Sequence, residues 1–169
     1  MTGRPQPANA AILVRDPSLS GATPLLERIA HSDIGVVIRG EPGSGRDVLA
    51  RTLHALSGRR GALVAVQAAA LHEPDLFGSE QPRRAGALER AGTVLLDELG
   101  ELPAALQAKL TLALELRRIH RLGAAEPVAL AARVIATTRR PLTDLVACGV
   151  LRHDLYLRIN GITLQLGGT

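Results

Sequence analysis

The residues Gly40-Glu41-Pro42-Gly43-Ser44-Gly45-Arg46-Asp47, here called the glycine loop, follow the apolar run Ile34 to Ile38. An apolar run that ends in such a loop and continues into a helical pattern predicts a strand, a phosphate-binding turn and a helix. In G-x-x-x-x-G-K-[ST], the glycines let backbone N–H groups close around phosphates at a helix N-terminus. Arg46 stands where that pattern has lysine; it keeps the charge but is longer and planar. Taken alone, the loop favours a glycine-rich β-to-α turn without a ligand.

A second apolar run, Thr93-Val94-Leu95-Leu96-Asp97-Glu98, predicts a buried strand that ends in two acids. Ligands of open α/β sheets bind at the carboxyl ends of parallel strands, so we expect both acids near the glycine loop. We interpret Asp97 as a ligand of Mg²⁺ and Glu98 as the residue that polarises water. The alternative is a strand followed by a polar helix cap, with both carboxylates solvated.

The rest of the chain predicts further strands and helices in alternation. Arg133 to Thr138 predicts a strand that ends in small polar residues, and the alternating run Ile162 to Leu166 predicts the last strand. Strands separated by helices indicate a βαβ series with the polar strand ends gathered at one edge. Apolar residues at helical spacing predict the helices Arg46 to Leu56, Ala104 to Leu116, Leu142 to Val146 and Leu151 to Ile159.

Six stretches of the sequence carry a resemblance to a known family. They are G-E-P-G-S-G-R-D at 40–47, V-A-V-Q-A-A-A-L at 64–71, D-L-F-G-S-E at 75–80, L-L-D-E-L-G-E-L-P at 95–103, L-Q-A-K-L at 106–110 and L-R-H-D-L-Y-L-R-I-N at 151–160. The chain resembles, from about Ile12 to Leu166, the AAA+ domain of NtrC-like bacterial activators that work with sigma-54 RNA polymerase. The resemblance implies an α/β fold of the P-loop NTPase, AAA+ type: a three-layer αβα sandwich with a mostly parallel central sheet. We expect a disordered tail over residues 1–11 and a nucleotide-binding core over residues 12–169.

The resemblance implies ATP and Mg²⁺ as cofactors and assigns roles by position. Asp97 matches the Mg²⁺ ligand and Glu98 the catalytic base, while Gln67 matches the residue that couples this glutamate to the nucleotide. Arg152 and Arg158 match arginines offered to a neighbouring subunit's nucleotide, so the implied partners are copies of the chain or homologous AAA+ subunits in a ring. The implied nucleotide contacts are Gly40, Glu41, Gly43, Ser44, Gly45, Arg46, Asp47 and, in the sensor I element, Thr138.

Three substitutions within the matched motifs bear on activity. Arg46 replaces the family's lysine, Gln67 its coupling asparagine and Arg139 its sensor I asparagine. One extra methylene in Gln67 displaces the amide by more than the roughly half an ångström that site geometry tolerates. Together these changes predict weakened hydrolysis. Lys109 is the only lysine among 20 Lys and Arg residues, so a general exchange toward arginine contributes to the change at position 46.

Two parts of the family pattern are missing. Where the family has G-A-F-T-G-A, the loop that grips the sigma factor, this chain reads Gln81-Pro82-Arg83-Arg84-Ala85. The sequence ends at Thr169, so we also expect no helical lid, receiver domain or DNA-binding helix-turn-helix. The transcription machinery remains a possible partner of what is otherwise a nucleotide-binding core.

Composition excludes several other classes. A chain of 169 residues, 46% of them hydrophobic, can bury one core and predicts a single globular domain. The net charge of +4 and the arginine pairs are not accompanied by stacking aromatics beyond Phe77 and Tyr156, so we expect no direct DNA-binding motif. Cys148 is the only cysteine, and the apolar run Ala10 to Val14 is too short for a signal peptide or membrane span. We therefore expect a cytoplasmic protein without a membrane partner.

Three functional hypotheses follow. The first is an ATP-binding regulator domain of the sigma-54 activator type with weak hydrolysis that depends on Glu98. The second is an inactive pseudo-ATPase that assembles with a complete relative and presents Arg152 and Arg158 to it. The third is a P-loop enzyme of another class, such as a small kinase, for which the sequence offers no recognisable acceptor pocket.

Overall fold

This computed structural model describes residues 11–16 and 24–167, in which strands and helices alternate. The strands are β1 (Ile12–Val14), β2 (Val36–Arg39), β3 (Leu63–Gln67), β4 (Ser79–Glu80), β5 (Arg83–Arg84), β6 (Thr93–Asp97), β7 (Arg118–Ile119), β8 (Val128–Ala129), β9 (Arg133–Thr138) and β10 (Ile162–Leu166). The helices are α1 (Pro24–His31), α2 (Arg46–Ser57), α3 (Glu73–Phe77), α4 (Ala87–Arg90), α5 (Ala104–Leu116), α6 (Leu142–Ala147) and α7 (His153–Ile159). Short 3₁₀ turns cover Ala68–Ala70 and Leu99–Glu101.

The central sheet has the strand order β1-β10-β2-β9-β6-β3, and each neighbouring pair is parallel. The short strands β4 with β5 and β7 with β8 form two antiparallel hairpins outside it. β2 lies inside the sheet between β10 and β9, and the glycine loop leaves from its carboxyl end. Because all six strands are parallel, the carboxyl ends of β2, β3, β6 and β9 meet at one edge.

Side chains alternate between the two faces of the sheet and build two cores. In β2, Val36 and Ile38 pack on the face covered by α1 and α2, whereas Val37 faces the layer formed by α3 to α7. All three side chains are fully buried, and burying each contributes roughly 1.5–3 kcal/mol. The observed architecture is a three-layer αβα sandwich, which confirms the predicted fold class.

Several predicted elements are confirmed to the residue. The helix Ala104–Leu116 and the strands Arg133–Thr138 and Ile162–Leu166 have the expected bounds. The helix after the glycine loop begins at Arg46 as predicted and ends one residue beyond the expected Leu56. The helix predicted over Leu142 to Val146 ends one residue later, at Ala147, and Gly149, with a left-handed φ of 79°, separates it from the last helix.

Two predicted start positions are wrong. The strand expected from Ile34 begins at Val36, because Gly35 is pressed against the Ile159 carbonyl, and a Cβ there would lie 2.2 Å from that oxygen. The helix expected from Leu151 begins at His153, since Leu151 is buried in the preceding turn.

Other expectations lie partly outside the described residues. Of the predicted tail over residues 1–11, residues 1–10 are not described, so the tail remains a prediction. Within 11–16 and 24–167, no helix is both long enough and apolar enough to cross a membrane.

Candidate functional site

The glycine loop is shaped by backbone conformations that favour glycine. Gly43 and Gly45 adopt φ angles of 82° and 98°, in the left-handed region that side chains rarely enter. Gly40 is required for space, because a Cβ there would lie 2.6 Å from Ser44 Oγ. The Gly40 N–H donates to the Thr138 carbonyl at 3.1 Å, which fixes the start of the loop against β9. The sequence therefore folds into a tight turn that leads directly into α2.

This turn leaves several backbone donors available. Gly45 is the N-cap of α2, and no side chain caps the helix. The backbone N–H groups of Gly43, Gly45, Arg46 and Asp47 donate no hydrogen bond to any of the described residues. Ser44 Oγ is buried and likewise has no hydrogen-bond partner in the described part of the chain. Free amides at a helix N-terminus attract anions, phosphate above all.

The end of β6 brings Asp97 and Glu98 to the same edge. Thr137, on the neighbouring strand β9, donates its hydroxyl to Asp97 Oδ1 at 2.6 Å and accepts the Glu98 N–H at 3.1 Å. Glu98 has φ 57° and ψ 72°, a left-handed conformation that costs about 1 kcal/mol or more for a residue with a side chain. The Glu98 backbone is therefore strained where its carboxylate is positioned. Strained backbone of this kind is often found at functional sites.

Arg46 points into this acidic pair. Its Nη1 donates to Glu98 Oε1 at 2.6 Å and to the Gly40 carbonyl at 3.3 Å, and its Nη2 lies 3.5 Å from Asp97 Oδ1. The whole residue is only 7% exposed. Sequence reasoning placed Arg46 on the phosphates, whereas in this structure its guanidinium is committed to the two carboxylates.

A cavity of about 510 Å³ lies between the glycine loop and the ends of β3 and β6. Gln67 lies beside Asp97 in the β3–β6 register, is exposed and lines this cavity. Its amide makes no hydrogen bond within the described ranges, so it is free to contact a ligand or water. The lining residues are Pro42, Gly43, Gly45, Arg46, Asp47, Ala65, Gln67, Leu95, Asp97 and Thr137.

The structure gives specific contacts to four further residues expected at the site. Thr138 is buried and donates its hydroxyl to the Arg140 carbonyl at 2.6 Å, so Thr137 presents the hydroxyl at the acids. Arg139 reaches the site through its backbone N–H, 3.4 Å from Glu98 Oε2. Glu41 is exposed at the outer side of the loop, where its carbonyl accepts the Ser44 N–H. The Asp47 carboxylate pairs with Arg51 of α2 at 3.0 Å.

Arg152 and Arg158 are not brought to the site by this chain. Arg152 is about half exposed at the start of α7 and pairs with Asp154 at 2.9 Å, a contact that raises the pKa of Arg152. Arg158 pairs with Glu115 at 3.2 Å and lines a separate cavity with Gly35, at the amino end of β2. A role for these arginines at a nucleotide therefore requires a nucleotide on another subunit.

Thr137 is the site residue that sequence reasoning missed. The signal was available in the strand pairing, because Leu96 lies opposite Ala136 and the next pair along the two strands is Asp97 with Thr137. Adjacent residues of neighbouring parallel strands point to the same face. A register worked out from the apolar patterns would have selected Thr137 over Thr138.

The residues present fit the phosphates of a nucleotide, because free amides, a buried hydroxyl without a partner and a cavity converge at one helix N-terminus. They do not fit a divalent cation in this arrangement. Asp97 Oδ1 and Glu98 Oε1 already accept hydrogen bonds from Arg46, which would oppose a second cation. The described residues also contain no group of three or more His, Cys, Asp or Glu side chains able to hold a metal ion.

Known proteins are similar to this chain over most of its length. A model of the sigma-54 interaction domain family matches residues 12–165. The response regulator protein FleR of Pseudomonas aeruginosa is 43% identical over 150 residues, which cover 80% of this chain and 32% of FleR. The transcriptional regulatory protein FlbD of Caulobacter vibrioides is 40% identical over 169 residues, covering 92% of this chain and 37% of FlbD. The chain thus spans about a third of the length of these relatives.

Solved structures are also similar to this chain. NtrX from Brucella abortus, crystallised in complex with ATP, is similar with a TM-score of 0.77 and 32% identity, covering 90% of this chain and 39% of that one. The same protein in complex with ADP gives a TM-score of 0.77 and 31% identity, with 89% and 38% covered. The P-loop NTPase domain of a sigma-54 transport activator from E. coli, 22% identical with a TM-score of 0.59, supports the fold alone.

Proposed function

Because this chain belongs to the sigma-54 interaction domain family, we propose that it is the nucleotide-binding domain of a sigma-54-dependent-type transcriptional regulator that binds ATP and hydrolyses it slowly. The observation that carries the proposal is the glycine loop, whose free amides open into the cavity beside Asp97. Amides of this kind cradle the phosphates of a nucleotide without help from side chains. Binding is thus expected to survive the loss of the family's lysine. A role in bacterial transcription would place the protein in the cytoplasm.

Slow hydrolysis follows from the state of Glu98. To act as a general base, its carboxylate must accept a proton from an attacking water. Oε1 instead accepts a hydrogen bond from Arg46 at 2.6 Å, which occupies one of the two oxygens that could take up that proton. A second effect comes from Gln67, which lies beside Asp97. Because it is longer than the family's asparagine, its side-chain amide is displaced from the position that the asparagine amide would take. Turnover requires Arg46 to leave Glu98, and this requirement limits the rate.

The connection between β4 and β5 supports a restricted role in transcription. The family's sigma-gripping loop belongs at this point of the sequence, and here Gln81 and Pro82 close a two-residue turn between Glu80 and Arg83. Arg121 fixes the hairpin from inside through contacts with Glu80 at 3.1 Å and Glu89 at 2.5 Å. A short turn held in this way offers no extended loop to a sigma factor. We propose that this chain acts on the transcription machinery through other subunits.

A second candidate function is a non-hydrolysing subunit that assembles with a complete relative. The observation in its favour is the exposure of Arg152, just before α7, and Arg158, on α7. Each is about half exposed, and within the described part of the chain each side chain is held only in a surface ion pair. Such pairs are worth about 0–1 kcal/mol, so either arginine can leave its partner for a phosphate. In this candidate, the chain supplies arginines to a neighbour's nucleotide in a ring of homologous subunits while its own site stays inactive.

Phosphate release from MgATP, measured over a series of protein concentrations with Glu98→Ala as control, distinguishes the two. The first proposal predicts slow release that rises more than linearly with concentration and disappears in the control. Release no greater than that of Glu98→Ala would refute hydrolysis and leave the second candidate. That candidate predicts faster release by a complete homologue when this chain is added, and no acceleration with Arg152→Ala.

Nucleotide binding through the glycine loop has a matched test of its own. Gly43 and Gly58 both have left-handed φ angles, 82° and 66°, and open space around the added methyl group. Alanine at either position is expected to lower stability by a similar amount, about 1 kcal/mol. Only Gly43→Ala lies in the loop, so only it should weaken binding of a fluorescent adenine nucleotide. Equal affinity of both variants would contradict binding at the loop.

A further inference from the structure

The space between the two acids at the end of β6 is filled by a cation from the chain itself. The guanidinium of Arg46 contacts Glu98 at 2.6 Å and Asp97 at 3.5 Å, and the Nη1 that donates to Glu98 also donates to the Gly40 carbonyl at 3.3 Å. Its side chain is 8% exposed, so the charge is withdrawn from water and held by these groups. A guanidinium suits this place because its planar fork can address two carboxylates at once, and it stays charged at any physiological pH.

The charge of this cluster decides what it can accept. Two carboxylates and one guanidinium leave one net negative charge, and Asp97 Oδ1 is also occupied by the hydroxyl of Thr137. A divalent cation that entered would have to displace Arg46 from both acids and push a buried guanidinium aside. The attraction that normally draws a metal ion to paired carboxylates is thus already satisfied within the protein.

The phosphate-binding donors of the loop are independent of this cluster. The free amides of Gly43, Gly45 and Asp47 remain at the N-terminus of α2, the part of a P-loop that cradles the α- and β-phosphates. The groups that would face the γ-phosphate are not free in this way. The side chain that normally reaches β and γ oxygens is turned onto Glu98, and a γ-phosphate without a cation would meet the net negative charge at Asp97 and Glu98.

We infer that Arg46 takes the place of the divalent cation, so that this site binds a nucleoside diphosphate without a metal ion and prefers it to the triphosphate. The inference rests on the proposed nucleotide binding and specifies its ligand. It makes the site a sensor of the diphosphate state: occupancy follows the concentration of metal-free diphosphate and is not raised by Mg²⁺.

The test is a calorimetric titration of the full chain with ADP and with ATP, each in excess EDTA and in excess Mg²⁺. The affinity for ADP should be no higher in Mg²⁺ than in EDTA, and ATP in EDTA should bind about tenfold or more weakly than ADP. Binding of either nucleotide that tightens about tenfold on addition of Mg²⁺ would overturn the inference and leave the proposed function standing. Absence of binding under all four conditions would refute both.

Two variants tie the result to Arg46. Arg46→Lys is shorter and lacks the fork, so it should release Asp97 and Glu98 and make ATP binding tighten about tenfold with Mg²⁺. Glu98→Gln keeps the side-chain shape and removes one negative charge; in EDTA it should tighten ATP binding more than ADP binding. Circular dichroism establishes that each variant is folded. Equal effects of Glu98→Gln on both nucleotides would contradict the assigned repulsion of the γ-phosphate.

Discussion

The contact between Arg46 and Glu98 predicts an energetic coupling that can be measured without any nucleotide. The two residues are 52 positions apart and joined at 2.6 Å. The perturbations are Arg46→Met, which keeps the aliphatic length and removes the charge, and Glu98→Gln, which keeps the shape and removes the charge. The double variant closes a thermodynamic cycle that isolates the pair.

The expected magnitude follows from burial. The side chain of Arg46 is 8% exposed and that of Glu98 is 26% exposed, so the pair lies between a buried and a surface ion pair. Removing one partner of a fully buried pair costs about 3–5 kcal/mol, whereas an exposed pair is worth about 0–1 kcal/mol. We expect Arg46→Met to lower the free energy of unfolding by about 2 kcal/mol, since it leaves two carboxylates facing each other. The coupling between the two positions should be about 1–2 kcal/mol.

Urea unfolding followed by far-ultraviolet circular dichroism measures both quantities. With a urea dependence of about 2 kcal/mol per molar, a loss of 2 kcal/mol moves the midpoint down by about 1 M. Glu98→Gln alone should also destabilise, because it leaves Arg46 buried beside a single carboxylate. A coupling below about 0.5 kcal/mol would mean that the guanidinium does not rest on Glu98 in solution. The inferred replacement of the metal ion would then lose its geometric basis.

Three further changes test the fold around the site. Arg133→Met removes a buried guanidinium that donates to the last carbonyls of α1 at 2.7 and 2.8 Å, and urea unfolding should show a loss of about 2–4 kcal/mol. Arg117→Gly relieves a left-handed φ of 56° at the exposed end of α5 and should raise Tm by about 2–4 °C in a calorimetric scan. The hydrogen bond from Arg84 lowers the pKa of Asp75, so the pair stabilises the fold above the ordinary pKa of an aspartate, and this contribution is lost as pH falls through the lowered value. Arg84→Ala should therefore unfold earlier than the parent chain in urea at neutral pH but together with it near pH 2, and a gap that persists in acid would contradict the ion pair.

The sheet could be predicted from the sequence where its strands carry a continuous apolar run or a clear alternation. Arg133 to Thr138 is buried on both faces, Ile162 to Leu166 alternates, and Pro103 marks where α5 begins, so these bounds were recovered to the residue. The short elements could not be found in this way. β5 consists of two exposed arginines, and β1 has three residues that become a strand only by pairing with β10. Their conformation is set by distant partners and leaves no local pattern.

The location of the site was predictable because chain topology determines it. Once β2 and β6 are taken as parallel strands, the glycine loop, Asp97 and Glu98 must meet at one edge of the sheet. The choice between Thr137 and Thr138 was harder, because a shift of one residue moves a side chain to the opposite face. The family resemblance pointed to Thr138, whereas the strand register brings Thr137 to Asp97.

The direction of Arg46 was beyond sequence reasoning for a different reason. Composition accounts for the presence of an arginine, since the chain has one lysine among its 20 Lys and Arg residues. Composition says nothing about what the longer side chain contacts. A lysine at the first position of α2 ends in one compact charge that suits a phosphate, whereas arginine extends a two-pronged donor that also matches paired carboxylates. Because the acids at the end of β6 lie within reach, the same exchange that is harmless on the surface here joins Asp97 and Glu98 to Arg46 in an internal ion pair. The consequence of a substitution therefore depends on which partners its reach brings into contact, and residue identity alone does not decide it.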